Sequence, residues 1–257
     1  MIKKVSGAKT VIVPITTIGK NYLPYVEYLN NRYIKYIDCV IVNSLPYSTG
    51  TPITSTDNLF VSLAQQSGNL YFVENEPLVK FDIEQNQGIR KPIMQKVSLQ
   101  NSYIECTDVT LIGQFVLLVF WYDLPEFSQR NKTQNLLTDY FEVKIQSLTE
   151  LNQFPDNRTM VGRRFRNFLV TYPSNTPSLS QGISAANAND LYITFQKGNY
   201  KVVDTLPLKV FYQINKLQNV DFANIIFDFT YSYIFCGINA DNSVVGKSVM
   251  INATYEK

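Results

Sequence analysis

Residues 68–83 read GNLYFVENEPLVKFDI and residues 198–214 read GNYKVVDTLPLKVFYQI, so the chain carries two versions of one segment. Their prolines, Pro77 and Pro207, are 130 positions apart. A match at a fixed offset is the sequence signature of an internal repeat. The chain of 257 residues is therefore predicted to contain two copies of one structural unit.

Each copy of the segment is interpreted as a turn, a strand, a break and a second strand. Gly-Asn tolerates a turn with positive φ, and an acidic residue followed by proline interrupts the ladder, so Pro77 and Pro207 are each expected to begin a new strand. The second copy needs one more residue after its proline to align Ile83 with Ile214. Because strand side chains alternate between faces, this insertion predicts a bulge or an altered turn just after Pro207.

Strand-like runs separated by turn-rich pieces surround both copies. The runs are 33–42, 58–63, 69–73, 77–83, 97–106 and 113–123 in the first half, and 164–172, 190–195, 199–203, 207–214, 220–235 and 247–255 in the second. Short strands at such spacing are typical of β-sandwiches. The chain is expected to be all-β, with two tandem sandwiches.

The domain organisation follows from where these runs begin and end. Residues 1–31 are interpreted as an N-terminal arm, 32–125 as the first sandwich and 164–257 as the second. Residues 126–163 are the predicted linker, and the stretch from Ser128 is compatible with a short helix that this serine would cap.

Composition excludes several classes of function. The chain has 17 Tyr, 16 Phe and no histidine. Histidine is the usual general base and a very common metal ligand, so its absence excludes Ser/His/Asp and Cys/His catalysis and His-bound zinc or iron. The three cysteines, Cys39, Cys106 and Cys236, lie far apart in apolar or strand-like runs, which favours buried thiols and a reducing compartment.

Charge and hydropathy point to a soluble chain without a default nucleic-acid partner. The net charge of +2 is too small for counterion-driven binding unless basic residues concentrate on one face. The N-terminal residues are too interrupted by Gly, Lys and Pro for a signal peptide. The longest apolar run, 115–122, is too short for a membrane span and is predicted to be a buried strand.

The sharpest charged feature is a group of four arginines, Arg158, Arg163, Arg164 and Arg166. Guanidinium groups suit phosphate oxygens, so this group could bind an anion, nucleic acid or an anionic membrane surface. The favoured alternative is that Arg164 and Arg166 form the outward face of a strand, or that they pair with carboxylates across a subunit contact.

Two further groups have competing interpretations. The carboxylates Glu74, Glu76, Asp82 and Glu84 lack the spacing of a calcium loop and are interpreted as solvated strand ends rather than as catalytic groups. The tyrosine-rich stretch 21–36 could stack on sugars or bases, but a core or interface role is preferred.

Two tandem sandwiches, no histidine and long polar loops at equivalent places, 43–57 and 172–190, give the chain a resemblance to a known family. It resembles the double jelly-roll major capsid proteins of tailless, internal-membrane bacteriophages, above all the compact corticovirus-like and finnlakevirus-like forms. The paired segments 68–83 and 198–214 carry the resemblance, which spans residues 32–257.

The resemblance implies two jelly rolls side by side, joined by a short helical or irregular linker. It implies a structural virion protein, made in the host cytoplasm, whose homotrimers tile an icosahedral shell. Implied partners are further copies, penton or minor capsid proteins and an internal membrane, without sequence-specific nucleic acid. No catalytic residue, cofactor or metal is implied, and a structural divalent cation at a subunit contact is left open. By position, Lys3, Lys4 and Lys9 of the arm are candidates to face inward or to clamp a neighbour.

Three alternatives compete with a major capsid protein. One is another phage structural sandwich, such as a minor capsid, tail adaptor or fibre protein. A carbohydrate-binding module could use Trp121 and the tyrosines, although the position of Trp121 within the apolar run 115–122 indicates burial. An enzyme is the weakest alternative, because bicupins, which resemble this layout, need metal-binding histidines.

Overall fold

The computed structural model describes residues 7–30, 32–66, 70–85, 92–123, 136–157, 159–171, 182–211 and 225–256. The chain is nearly all β, as the sequence predicts. The strands are β1 (Gly7–Pro14), β2 (Gly19–Tyr22), β3 (Tyr33–Cys39), β4 (Thr51–Pro52), β5 (Leu59–Gln65), β6 (Tyr71–Pro77), β7 (Pro92–Cys106), β8 (Gln114–Asp123), β9 (Leu136–Lys144), β10 (Asn152–Gln153), β11 (Phe165–Thr171), β12 (Leu191–Lys197), β13 (Tyr200–Pro207), β14 (Tyr233–Cys236) and β15 (Ser248–Glu256).

Short helical turns connect several of these strands. They are Glu27–Leu29, Leu78–Phe81, Val109–Leu111, Asn187–Asp190, Phe229–Tyr231 and Asn242–Val244, together with residues 208–211. Among the described residues, no helix is long and apolar enough to span a membrane.

Strands β1–β8 form a first unit whose two layers share one long, bending strand. The amino-terminal part of β7 pairs with β3, whereas residues from Val97 onward pair with β5. One layer therefore has the order β1-β8-β3-β7 and the other the order β2-β7-β5-β6. Their inward side chains, among them Val11, Ile37, Val61 and Ile104, form one buried cluster.

Strand β8 shows why the apolar run 115–122 needs no alternation of polar residues. Val116, Leu118 and Phe120 belong to the core of the first unit, whereas Leu117 and Val119 belong to a cluster shared with the second unit. Strands covered on both faces are expected to be apolar throughout. The prediction that this run is a buried strand is confirmed.

The two stretches interpreted as an arm and a linker contain sheet strands. Residues 7–14 of the predicted arm form β1, which lies between β8 and β13. Residues 136–144 of the predicted linker form β9, which pairs with β15 along its whole length. Alternating burial of Phe141 and Val143 is the strand pattern that outweighs helix propensity. The expected helix start at Ser128 lies outside the described residues.

The second unit repeats the strand orders of the first. Its layers are β9-β15-β11 and β10-β14-β12-β13, matching β1-β8-β3 and β2-β7-β5-β6. An isolated bridge between Phe165 and Ile225 stands where β3 meets β7 in the first unit. The described strands of the two units thus span 7–123 and 136–256.

The strand register aligns the two copies residue by residue. Pro77 lies opposite Phe60, and Pro207 lies opposite Tyr192. On the other side of β5 and β12, Leu59 pairs with Cys106 and Leu191 pairs with Cys236. The 130-residue offset read from the prolines therefore recurs in the two cysteines.

A polar turn is also built twice. Asn21 Oδ1 accepts hydrogen bonds from the backbone N–H groups of Thr16 (2.8 Å) and Thr17 (3.2 Å), while its amide donates to Thr17 O (2.9 Å) and Gly19 O (3.1 Å). Asn152 caps the turn after β9 in the same way. Its Oδ1 accepts from the N–H groups of residues 146 and 147, and its amide donates to the carbonyls of residues 147 and 150.

The prolines end strands instead of beginning them. Pro77 is the last residue of β6 and Pro207 the last of β13, and a helical turn follows each. The irregularities in strand pairing lie before the prolines. In the β5·β6 pairing they fall between Val61 and Ala64, and in the β12·β13 pairing between Ile193 and Gln196. The predicted start of a second strand at each proline is therefore wrong. The counterpart of Ile83, Ile214, lies outside the described residues.

Candidate functional site: the seam between the two units

The two units meet along a short parallel pairing of β1 with β13. Ala8 pairs with Val203 and Lys9 with Asp204. This pairing joins the layer β1-β8-β3-β7 of the first unit to the layer β10-β14-β12-β13 of the second, so that one twelve-stranded sheet runs through the chain. We call this contact, with the loops beside it, the seam.

An ion pair marks the register of the seam. Lys9 Nζ contacts Asp204 Oδ2, and Lys201 Nζ lies 3.4 Å from Asp204 Oδ1. Burial alone would raise the pKa of Asp204, but the hydrogen bond and charge of Lys9, with the charge of Lys201, lower it below its ordinary value. Asp204 is therefore a carboxylate held ionised inside the seam.

A loop of the first unit covers the outer face of the second. The Tyr47 ring stacks on Phe235 with centroids 5.4 Å apart, and its hydroxyl lies 2.8 Å from Thr205 Oγ1. Tyr192 donates its hydroxyl to Ser44 O at 2.6 Å. Tyr192 is 0% exposed and Phe235 is 6% exposed.

Close backbone approach continues the same contact. Ser44 Oγ donates to Asp190 Oδ1 at 3.0 Å, and burial raises the pKa of this carboxyl. Ile238 N donates to Leu45 O at 3.0 Å. A Cβ at Gly237 would lie 2.1 Å from Ser44 Oγ, so a side chain at this position is incompatible with the seam as built.

A buried lysine contributes from the other side. Lys209 is 7% exposed; it donates to Ile41 O at 3.2 Å and forms an ion pair with Glu84. Buried ammonium groups require such partners because desolvation is costly. Glu84, although exposed, is thus the partner that the first unit supplies to Lys209 across the seam.

The tyrosine-rich stretch divides between the seam and an exposed face. Tyr28 packs edge-on against Tyr122 and contacts the Tyr200 ring of the second unit. Tyr22, which is exposed, instead packs against Tyr103. A core or interface role therefore describes Tyr28, whereas for the exposed Tyr22 an interface role stays a prediction.

The arginines occupy separate roles. Arg166 is largely buried and pairs with Glu256 of the same chain. Arg163 is exposed, Arg164 is half-buried, and Arg158 lies outside the described residues. The ion pair of Arg166 with Glu256 stabilises the pairing of β11 with β15. It is made within the chain and not across a subunit contact.

The carboxylate group does not converge on one site. Glu74 is exposed, and Glu76 lies 3.5 Å from Lys80. Asp82 is 1% exposed; its Oδ1 accepts from the backbone N–H of Glu84 at 2.9 Å, and burial raises its pKa. The interpretation of Asp82 as a solvated strand end is therefore wrong, since its side chain is buried and caps the turn that follows.

The remaining sequence predictions concern the lysines, Trp121 and the cysteines. Lys9 belongs to the seam, whereas Lys3 and Lys4 lie outside the described residues. Trp121 is fully buried, and its Nε1 donates to Asp38 Oδ2 at 2.7 Å. All three cysteines are buried and free, as expected.

Within the described part of the chain, no group of three or more His, Cys, Asp or Glu side chains is placed to hold a metal ion. The chain matches no protein-family model, no curated protein and no solved structure.

Sequence reasoning missed the seam itself. The signal for β1 was present, since Val11, Val13 and Ile15 alternate in the pattern of a strand. The pairing of Lys9 with Asp204, by contrast, joins residues 195 positions apart and had no local signal.

Proposed function

We propose that the chain is a structural virion protein, a double jelly-roll major capsid protein whose copies assemble into an icosahedral shell. The observation that carries the proposal is the duplicated two-layer unit with its seam. The first unit has the layers β1-β8-β3-β7 and β2-β7-β5-β6, and the described strands of the second unit repeat them as β9-β15-β11 and β10-β14-β12-β13. Two layers of this kind, with the long strand β7 passing between them in the first unit, fit a jelly roll, an architecture common in viral capsids.

The seam supports this proposal over a free-standing binding module. Ion pairs, a stacked tyrosine and backbone hydrogen bonds hold the units side by side. A side-by-side pair of sandwiches presents broad, laterally matched surfaces, which suits a building block for a closed lattice. The proposed assembly unit is a homotrimer located in the virion shell, and no catalytic step is assigned to it.

Burial of Trp121 weighs against the carbohydrate-binding alternative. Sugar-binding platforms need an accessible aromatic face, whereas Trp121 is enclosed between the two units. The exposed Tyr22 beside Tyr103 leaves the alternative a surface on which it can be tested.

The test is the solution behaviour of the purified protein. Size-exclusion chromatography with light scattering, over a concentration series, is expected to give trimers, and electron microscopy is expected to show curved lattices or shells. A protein that stays monomeric at every concentration and binds an oligosaccharide on a glycan array would overturn the capsid proposal in favour of a binding module.

A further inference from the structure

The internal repeat pairs each strand of the seam with a counterpart elsewhere in the chain. Strand β9 pairs with β15 as β1 pairs with β8. Strand β6 pairs with β5 as β13 pairs with β12. Strand β13 covers the edge of β1. By the repeat, the strand that would cover the edge of β9 is the counterpart of β13, which is β6.

In the part of the chain that the structure describes, these counterpart strands lie at sheet edges. Strand β6 is the last strand of the large sheet, and β9 is the last strand of the small one. The β9 edge carries exposed apolar side chains, with Leu136 54%, Leu137 40% and Tyr140 46% exposed. Leu70, which precedes β6, is 62% exposed. Long apolar edge strands invite pairing with another chain.

The outer face of the sheet beside β13 differs from the outer face beside β6. In the second unit this face is buried at Tyr192 and Phe235 by the loop containing Ser44 and Tyr47. Its counterparts in the first unit are Phe60 and Glu105, which are only half-buried. The loop with Ser44 and Tyr47 belongs to the first unit and covers this face of the second unit. The equivalent face of the first unit stays partly exposed.

We propose that β6 of one copy pairs in parallel with β9 of a second copy, repeating between chains the seam that exists within each chain. The equivalent register sets Val73 opposite Thr138 and Glu74 opposite Asp139. This inference deepens the proposed shell-forming function and rests on it. The contact is head-to-tail, because each chain uses one edge as donor and the other as acceptor, so repetition yields a closed ring or a continuing array.

The charges at the two seams differ. Within the chain, Lys9 meets Asp204, whereas the equivalent position between chains brings Asp139 to Glu74. Like charges opposed across strands weaken their pairing. The intermolecular seam is therefore weaker than the intrachain seam, and a lysine at position 139 would reproduce the favourable pair.

Disulfide trapping tests the register directly. The double variant Glu74→Cys/Asp139→Cys is expected to form intermolecular disulfides under mild oxidation, since neighbouring strands place Cα atoms within bonding range. The product is a ladder of covalent multimers on a non-reducing gel. Each single variant, and a Glu74→Cys/Val245→Cys pair with Val245 also exposed, is expected to give no ladder beyond a dimer. The native cysteines are buried and do not compete.

Charge exchange provides an independent measurement. Asp139→Lys is expected to tighten self-association at least about tenfold by analytical ultracentrifugation, while Asp139→Asn gives a smaller gain. Combining Asp139→Lys with Glu74→Lys restores like charges and should reverse the gain. Thermal melting of each variant verifies that its fold is intact.

The outcomes separate this inference from the proposed function. Lattices or trimers without trapping at positions 74 and 139, and without a charge-exchange effect, would overturn the proposed register while leaving the capsid function in place. A chain that is monomeric in every assay would overturn both. Multimer ladders that form with the Glu74→Cys/Asp139→Cys variant and with none of the control variants would support the inference.

Discussion

Asn75 and Thr205 lie 130 positions apart and share one unusual backbone geometry. Their φ angles are 49° and 59°, and each backbone N–H donates to a hydroxyl on the neighbouring strand, Ser62 Oγ at 2.9 Å and Thr194 Oγ1 at 3.2 Å. Positive φ is uncommon outside glycine and unfavourable for a β-branched residue. Both units thus contain a bulge with this geometry. In each, the hydroxyl group that accepts the N–H of the bulged residue holds the bulge in place.

Replacing that hydroxyl should destabilise the fold. Thr194→Val conserves shape but leaves the buried Thr205 N–H without its acceptor, which is expected to lower the free energy of unfolding by about 1–3 kcal/mol. Urea titration measures the change. Thr10→Val is the matched control, because among the described residues the buried Thr10 Oγ1 has no hydrogen-bond partner, so its loss should cost nothing. Equal losses in both variants would contradict this explanation.

The seam ion pair should make stability depend on pH. The folded-state pKa of Asp204 lies below its ordinary value of 3.8, so its contribution is present at neutral pH and is lost as pH falls through the folded pKa. Asp204→Asn is expected to cost about 1–3 kcal/mol at neutral pH, with the difference from wild type shrinking in acid. Urea unfolding at a series of pH values measures it. Lys201→Met, which keeps Lys9, should cost less, and a pH-independent difference would refute the assignment.

Arg166 should matter far more for stability than the exposed Arg163. Arg166→Met removes the buried partner of Glu256 and is expected to cost about 2–4 kcal/mol in chemical unfolding. The Arg166→Met/Glu256→Leu double variant should recover part of this loss, because no buried charge then remains. Arg163→Met, at an exposed position, should change stability by less than about 0.5 kcal/mol. A loss at Arg163 as large as that at Arg166 would contradict these roles.

The two units should unfold together. The β1·β13 pairing runs one sheet through both, and Trp121 packs in the cluster they share. Fluorescence of this single tryptophan and far-ultraviolet circular dichroism are expected to give coincident unfolding transitions. Its emission should resist quenching by acrylamide in the folded protein because the side chain is 0% exposed. Separate transitions would show that the seam does not couple the units.

The cysteines should be inert until the protein unfolds. All three are buried, and burial raises the pKa of Cys236 to about 11, which leaves little reactive thiolate at mildly alkaline pH. A thiol reagent such as Ellman's reagent is expected to titrate none of them in the folded state and all three in urea. Rapid reaction of one thiol under native conditions would argue for local opening around it.

The all-β class, the duplication and the burial of the apolar run could be read from the amino-acid sequence alone. Each was carried by a local pattern: the offset of Pro77 and Pro207, the alternation around them, and the unbroken apolar residues of β8. The absence of histidine likewise restricted the possible chemistry without any knowledge of the fold.

Which residues meet across the chain depended on the folded arrangement of the strands. It set Lys9 against Asp204, buried the side chain of Asp82 and made 7–14 and 136–144 strands of opposite units. The physical reason is that strand pairing and ion pairing depend on neighbours distant in sequence, whose positions local propensity does not encode. The local sequence around Pro207 was likewise ambiguous, since a proline suits either end of a strand. The bulge at Thr205, whose N–H donates to a hydroxyl on β12, places Pro207 at the end of its strand.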